Sequence, residues 1–380
     1  MNELSNHSGR AHALLSASSS SRWLKCPPSA VAASLYPDAE TDYTREGTRA
    51  HEVAEAVARR YLFGDPVPDF DSLDVTGEML ACAIDYADYI QEQMKSPDAA
   101  VLLEQRLDFS RWVPDGFGTG DCLVFNGRHL DVIDYKYGQG VEVSAVGNSQ
   151  MRLYGLGALH DFGLLYEIET VSLHIFQPRK DHISVESLTA AELLAWGDEI
   201  RPVAADAAVG AGVHTPGDHC RFCPHAGVCP ALADACTHEF FAARGLDAVP
   251  SLSEHQVAAI LEQEPMITAW LKAVKDRALS SLLAGAEIPG FKVVAGRTQR
   301  TWADELEVLA ALEKAGYTRE QLTKTEVLSP AAMERFLGKK KAAELIAGHI
   351  VSNPGAPTVA PESDRRPVFD RLAEAKKDFL

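Results

Sequence analysis

The middle of the chain constrains the fold most, because its apolar pattern changes there from a helical period to strict alternation. Two short apolar runs, residues 120–125 and 129–135, flank the dipeptide Asn126-Gly127. Asn-Gly between two such runs is a strong β-hairpin signal, since both residues tolerate the positive φ angles of tight turns. The sequence therefore predicts two antiparallel strands here, with a third at residues 99–109.

Helical periodicity surrounds these strands. Helices are predicted at residues 47–62, 77–94, 146–159 and 190–209, with a further strand at 167–177. Such alternation predicts an α/β fold in which helices flank a mixed sheet. After residue 245 the pattern is helical at 254–283, 304–315 and 330–347, and residues 290–294 favour one more strand.

Length and composition predict how the chain is divided. A chain of 380 residues is long enough for about two domains of ordinary size. We expect a flexible N-terminus at residues 1–15, an α/β domain at 16–240, a mostly helical domain at 245–352, and a linker with a terminal helix at 353–380. The polar start and the lack of a long apolar run predict a cytoplasmic protein without a membrane span.

The charge balance excludes one class of function. Lys and Arg number 36 and Asp and Glu number 54, for a net charge of −18. A protein that coats DNA non-specifically should be basic. An enzyme that holds DNA in one local basic groove remains compatible with this charge, and acidic metal ligands would contribute to it.

A series of polar residues occupies the predicted elements in a fixed order. His51 lies on a helix, Asp121 ends the segment Gly-Thr-Gly-Asp, and Asp134 and Lys136 lie two apart on a strand, so they share a face. Phosphodiester cleavage needs a divalent cation, which carboxylates can hold, and a cation such as lysine to stabilise the developing charge. Gln150 and Tyr154 are four apart on the next helix and share a face that can orient Lys136 or contact DNA.

Each of these features alone has an ordinary structural explanation. A D-x-K triplet is common at exposed strand ends, and an isolated helical histidine is more often structural than a ligand. The ordered combination on the predicted element types is much more specific, and it indicates a metal-dependent nuclease.

This series resembles the motifs of RecB-like PD-(D/E)XK nucleases, which have a restriction-endonuclease-like fold. The resemblance covers about residues 16–236. It implies that His51, Asp121, Asp134 and the carbonyl of Tyr135 bind Mg²⁺ or Mn²⁺, and that Lys136 is catalytic. Glu104 is a further acidic candidate, although an exposed strand residue is an equally good interpretation of it.

A second group of residues is typical of a metal site. Cys220, Cys223 and Cys229 form C-x2-C-x5-C, a spacing for which zinc is the default metal. The fourth ligand could be Cys236, His219 or His225 nearby, or Cys26 far away, since iron–sulfur clusters also take four thiolates. We interpret Cys82 and Cys122 as core thiols.

RecB-like nucleases of the AddB type and the CRISPR-associated RecB-like exonucleases carry one cysteine before the nuclease core and three after it. The resemblance implies the same split here, with a 4Fe–4S cluster on Cys26, Cys220, Cys223 and Cys229. A local Zn²⁺ site that uses Cys236 remains the alternative.

The sequence thus predicts a DNA nuclease, favouring an exonuclease, and the overall build resembles a phage or prophage group concerned with DNA recombination, repair or replication. Its partners would be single- or double-stranded DNA and a helicase, single-strand-binding protein or recombination protein. The chain has no G-x-x-x-x-G-K-[ST] loop, so ATP hydrolysis is not expected. The alternatives are a catalytically inactive DNA-binding or scaffold protein of the same fold and a zinc-knuckle interaction protein.

Overall fold

A single mixed sheet organises the computed structural model, which describes residues 13–36, 42–66, 70, 75–242 and 254–294. Its five strands lie in chain order, and the β3–β4 pair is parallel while the other three pairs are antiparallel. The strands are β1 (Ala100–Asp108), β2 (Phe117–Asn126), β3 (His129–Tyr135), β4 (Thr170–Gln177) and β5 (His182–Thr189).

Eight helices are assigned within the described residues. Four precede the sheet: α1 (Ser20–Trp23), α2 (Ser29–Ser34), α3 (Asp42–Phe63) and α4 (Gly77–Gln93). Four come later: α5 (Ser149–Tyr166) between β3 and β4, then α6 (Ala190–Val209), α7 (Pro230–Ala242) and α8 (Glu254–Leu283). None of them is long and apolar enough to cross a membrane.

The β2–β3 hairpin confirms the prediction made from Asn126-Gly127. Asn126 pairs with His129, so Gly127 and Arg128 form the turn, and Gly127 has φ +63°. The Asn126 side chain accepts hydrogen bonds from the backbone of Lys95 and Ser96. The asparagine therefore ties the hairpin to the end of α4, while the glycine alone supplies the positive φ.

Two layers of helices cover the sheet. Apolar residues of α3 and α4, including Val53, Val57 and Tyr86, pack with Ile133 on one face. On the other face α5 and α6 pack with Trp23 and Leu130. Helix α5 links the parallel strands β3 and β4, as a parallel pair requires. The mixed α/β architecture predicted from the sequence is thus the observed one.

Several sequence expectations need correction. Strand β5 was not predicted, because its inward Ser184 and Glu186 are polar and bind the backbone of Ala145 and Gly147. Residues 290–294 form a turn and irregular backbone, not a strand. The expected helices at 304–315 and 330–347 and the linker at 353–380 lie outside the described residues.

The chain divides into two units, Met1–Phe291 and Lys292–Leu380, and helix α8 lies in the first. The domain limits predicted from the sequence stay predictions. Leu15, placed in the flexible N-terminus by the sequence, is buried in the core beside α5.

Candidate functional site

Three potential metal ligands converge from α3, β1 and β2. One ligand atom each from His51, Glu104 and Asp121 lies within 4.8 Å of the other two. Nδ1 of His51 is 3.5 Å from Oδ2 of Asp121, which also accepts a 2.7 Å hydrogen bond from the backbone N–H of Tyr135. Because the Asp121 carboxylate is held from both sides, its position is set before any ion binds.

Glu104 enters this group through an unusual backbone conformation. Its φ is +49°, in the left-handed region that non-glycine residues seldom adopt. Leu103 belongs to the core cluster of α3 and α4, whereas Leu107, an even number of residues away, belongs to the opposite cluster. The left-handed residue thus reverses the side-chain alternation of β1 opposite Asp121. Backbone strain of this kind often marks a functional site.

Replacing Glu104 should separate backbone strain from function. We expect Glu104→Gly to be more stable than Glu104→Ala by about 1 kcal/mol, because only glycine adopts a positive φ without steric cost. Both variants should lose affinity for Mn²⁺, since both remove the carboxylate. Urea unfolding and Mn²⁺ titration would test this, and equal stabilities would contradict the assigned backbone conformation.

A second group of side chains lies at the end of β3 and the start of α5. Lys136 Nζ is 2.8 Å from Asp134 Oδ2 and 3.5 Å from Gln150 Oε1. Gln150 Nε2 donates to Asp134 Oδ1 at 3.1 Å and to the Tyr154 hydroxyl at 3.4 Å. Asn148 caps α5 by accepting from the backbone of Gln150, which fixes where the helix begins. The sequence named Asp134, Lys136, Gln150 and Tyr154 as candidate site residues, and in the structure their side chains form one connected network.

The glycines before Asp121 allow close packing at this point. A Cβ at Gly118 would lie 2.8 Å from Cε1 of Tyr154, and one at Gly120 would lie 2.9 Å from Cδ1 of Leu107. A larger residue at position 118 would push Tyr154 and its partner Gln150 out of place. Gly118 therefore lets β2 approach Tyr154 of α5 closely, and Gly120 makes room for Leu107 of the neighbouring strand β1.

The two aspartates have opposite pKa shifts although both are largely buried. Burial alone would raise the pKa of Asp121, but His51 and Lys136 outweigh it and lower that pKa. The pKa of Asp134 is raised, chiefly by burial and despite the attraction of Lys136. Burial opposes the charge of Lys136, yet Asp134 and Asp121 raise its pKa. Lys136 is therefore a permanent cation, suited to stabilise charge and unsuited to act as a base.

The donor set fits a hard divalent cation. Asp134 Oδ2 is buried, and the Lys136 ammonium at 2.8 Å compensates its charge. With Glu104, Asp121 and one imidazole, this carboxylate forms the oxygen-rich set that Mg²⁺ accepts and Mn²⁺ prefers.

Four cysteines, the set that the resemblance implied as cluster ligands, line one cavity. The cavity is bounded by Cys26, Cys220, Cys223 and Cys229 together with three histidines, His214, His219 and His225. Cys236 is buried in the adjoining apolar cluster and does not line the cavity. Burial raises the pKa of the Cys220 and Cys223 thiols, so a metal must displace their protons.

His214 was not identified from the sequence. Its Nδ1 is 3.8 Å from Sγ of Cys26, although it lies six residues before Cys220 and outside the cysteine spacing. His219 bonds to the carbonyl of Thr215, and His225 bonds to the hydroxyl of Tyr36. Both histidines that were considered as zinc ligands thus have other partners here.

Distant segments hold the cysteine cavity together. Arg22 Nη1 donates to the carbonyl of Phe222, 200 residues away. Helix α8 covers the other side with Met266, Ile267, Trp270 and Ala273. A Cβ at Gly227 would lie 2.5 Å from the carbonyl oxygen of Ala273, so this glycine is needed for the contact. Cys82 and Cys122 are buried in the core between the sheet and α4.

Comparison with known families places the whole described region in one group. The model of the family "Protein of unknown function (DUF2800)" matches residues 12–367. The chain belongs to the DUF2800 family. Among solved structures, this DUF2800 protein is similar to "Crystal structure of SSO0001", with 15% identity, a TM-score of 0.21, and coverage of 47% of this chain and 85% of that chain. A TM-score this low supports no inference about activity.

The structure of the DUF2800 protein brings some of the predicted site residues together. Ligand atoms of His51 and Asp121 lie close to each other, and one from Glu104 lies within 4.8 Å of both. Asp134 lies beside these three residues but outside the set, and its Oδ2 is 2.8 Å from Nζ of Lys136. The side chain of Tyr135 is buried against His51, at 5.4 Å between ring centroids. Metal binding by the Tyr135 carbonyl stays a prediction.

Metal binding by the DUF2800 protein should strengthen as pH rises. Burial and the charges of Asp121 and Glu55 raise the pKa of Glu104 to about 7, while Asp121 and Asp134 raise that of His51 against burial. Protons on both residues therefore compete with the ion. In metal-free protein the stability contribution of Glu104 is lost as pH rises from 4.5 to about 7, because its folded pKa is the higher one.

The expected result is that Mg²⁺ raises the melting temperature more at pH 8 than at pH 6. Glu104→Gln should weaken this dependence on pH, and adding His51→Gln in the same protein should remove the part that remains. Thermal denaturation with and without Mg²⁺ would measure it. A Mg²⁺ effect that is equal at both pH values in wild-type protein would contradict the assigned ligands.

Proposed function

We propose that this DUF2800 protein is a Mg²⁺- or Mn²⁺-dependent DNA nuclease of the PD-(D/E)XK type. The observation that carries the proposal is the convergence of His51, Glu104 and Asp121 beside a lysine paired with a buried aspartate. Burial and the charge of Asp121 raise the pKa of Glu104 and of Asp134, and shifts of this kind concentrate at functional sites. The proposal includes the expectation that the enzyme acts in phage-type DNA recombination, repair or replication.

The ion would be held by four side chains, those of His51, Glu104, Asp121 and Asp134. When bound, such an ion lowers the pKa of a water molecule and neutralises charge on the scissile phosphate. Lys136 keeps its proton, and its ammonium would stabilise the negative charge that develops on the phosphate oxygens. Gln150 holds both Lys136 and Asp134, and Tyr154 holds Gln150, so these two are positioning residues.

The second part of the proposal is a 4Fe–4S cluster on Cys26, Cys220, Cys223 and Cys229. The four thiols line one cavity although Cys26 is far from the other three in the chain. Iron–sulfur clusters take four thiolates, and this arrangement supports a cluster, with Zn²⁺ as the alternative.

A cleavage assay tests the nuclease. Anaerobically purified protein should degrade end-labelled linear DNA, single- or double-stranded, with Mg²⁺ or Mn²⁺, and EDTA should stop the reaction. The labelled products would report polarity and distinguish an exonuclease from an endonuclease. DNA binding without cleavage under every metal would reject this proposal and support a catalytically inactive scaffold.

A further inference from the structure

Helix α3 carries an ion pair next to the candidate metal ligands. Arg59 Nε is 2.7 Å from Glu55 Oε1, and the two side chains are 39% and 32% exposed. His51, Glu55 and Arg59 are four residues apart in turn, and all three are half-buried along one border of the apolar face of the helix. The row extends about 12 Å from the metal ligand along the helix.

Both charges of this pair lie on the side of α3 that carries the metal ligand His51. Glu55 follows His51 by about one turn and Arg59 by about two turns. An exposed i,i+4 ion pair stabilises a helix by only about 0.3–0.5 kcal/mol. Stability alone therefore gives little reason to place another carboxylate against an acidic site.

The site as described is short of positive charge for a phosphate chain. Four carboxylates, those of Glu55, Glu104, Asp121 and Asp134, repel a polyanion, and the whole chain carries a net charge of −18. Lys136, which is paired with Asp134, is assigned to the scissile phosphate, so a neighbouring phosphate needs another cation. Since Glu55 takes the Nε edge of Arg59, the Nη1 and Nη2 edge is the one that can face a ligand, and this fork matches two phosphate oxygens.

We propose that Arg59 binds a DNA phosphate neighbouring the scissile one and that Glu55 holds its guanidinium in position. This inference rests on the proposed nuclease function and names a substrate contact for it. Arg59 supplies substrate affinity, and Lys136 supplies stabilisation during the reaction. Glu55 has two opposed effects, because it orients Arg59 and also repels the DNA.

Arg60 offers a matched control for Arg59. It is the next residue of α3, carries the same charge, and is exposed with Nη1 bonded to the carbonyl of Gly64. We expect Arg59→Ala to raise KM for DNA about tenfold with kcat nearly unchanged, and Arg60→Ala to change neither. Glu55→Gln keeps an acceptor for Arg59 and removes a negative charge, so it should lower KM.

Salt dependence gives an independent readout. Fluorescence anisotropy with a labelled oligonucleotide, in the Lys136→Met background so that DNA stays intact, should show a slope of log Kd against log salt reduced by about one in Arg59→Ala only. Arg59→Lys, which retains charge without the fork, should bind DNA with intermediate affinity even if the alanine variant folds poorly.

Three outcomes are distinct. If the wild-type protein neither binds nor cleaves DNA, the proposed function and this inference both fail. If it cleaves DNA and Arg59→Ala behaves like Arg60→Ala, only this inference fails. A tenfold rise in KM and a smaller salt slope confined to Arg59 variants would establish the contact.

Discussion

Replacing Lys136 by methionine is expected to lower kcat for DNA cleavage by about 10²–10³-fold, the usual cost of removing one charge-stabilising donor. Methionine fills similar space without a charge. Lys136 contacts Asp134 and Gln150, and burial does not remove its proton. Its loss therefore removes the ammonium group from the site, while His51, Glu104 and Asp121 keep their side chains. Cleavage rates at saturating DNA, with Mg²⁺ and with Mn²⁺, would measure the effect.

Lys272→Met is the matched control, since Lys272 is exposed on helix α8. Removing Lys136 also leaves Asp134 without its partner and should destabilise the metal-free protein by about 1–3 kcal/mol. Lys136→Met combined with Asp134→Asn avoids that unpaired charge and should still impair cleavage. Equal rates for wild type and Lys136→Met, with both proteins folded at the assay temperature, would exclude this site as the catalytic one.

Replacing Cys26 by serine is expected to remove the metal group from the cysteine cavity. Cys26 belongs to the N-terminal segment, and the other three cysteines lie nearly 200 residues later. Iron, sulfide and visible absorbance of anaerobically purified protein should fall to background. Because a link across a loop of about 200 residues restricts the unfolded chain strongly, stability should fall by up to roughly 5 kcal/mol.

Cys236→Ser is the control for this experiment, because Cys236 lies in the adjoining cluster and does not line the cavity. It should keep its iron and its absorbance. The opposite pattern, zinc-containing colourless protein that needs Cys236 and tolerates Cys26→Ser, would establish a local zinc site. The two variants therefore decide between a cluster that joins distant segments and a metal that holds a short one.

Local spacing determined much of this protein from sequence alone. The hairpin followed from Asn126-Gly127, and the shared face of Asp134 and Lys136 followed from the two-residue period of a strand. The pairing of Gln150 with Tyr154 followed from the helical period. These predictions succeeded because near neighbours in the chain have positions that the backbone geometry of one element imposes.

Contacts between distant segments were decided only by the tertiary structure. The sequence named Glu104 only as one acidic candidate, equally interpretable as an exposed strand residue, and the positive φ that turns the strand at this point brings it beside His51 and Asp121. Helix α8 joins the first unit because Gly227 admits its backbone. Cys26, not Cys236, lines the cavity because α1 and residues 218–222 pack together. Such contacts depend on how whole elements pack, and the spacing within one element contains no information about its partner.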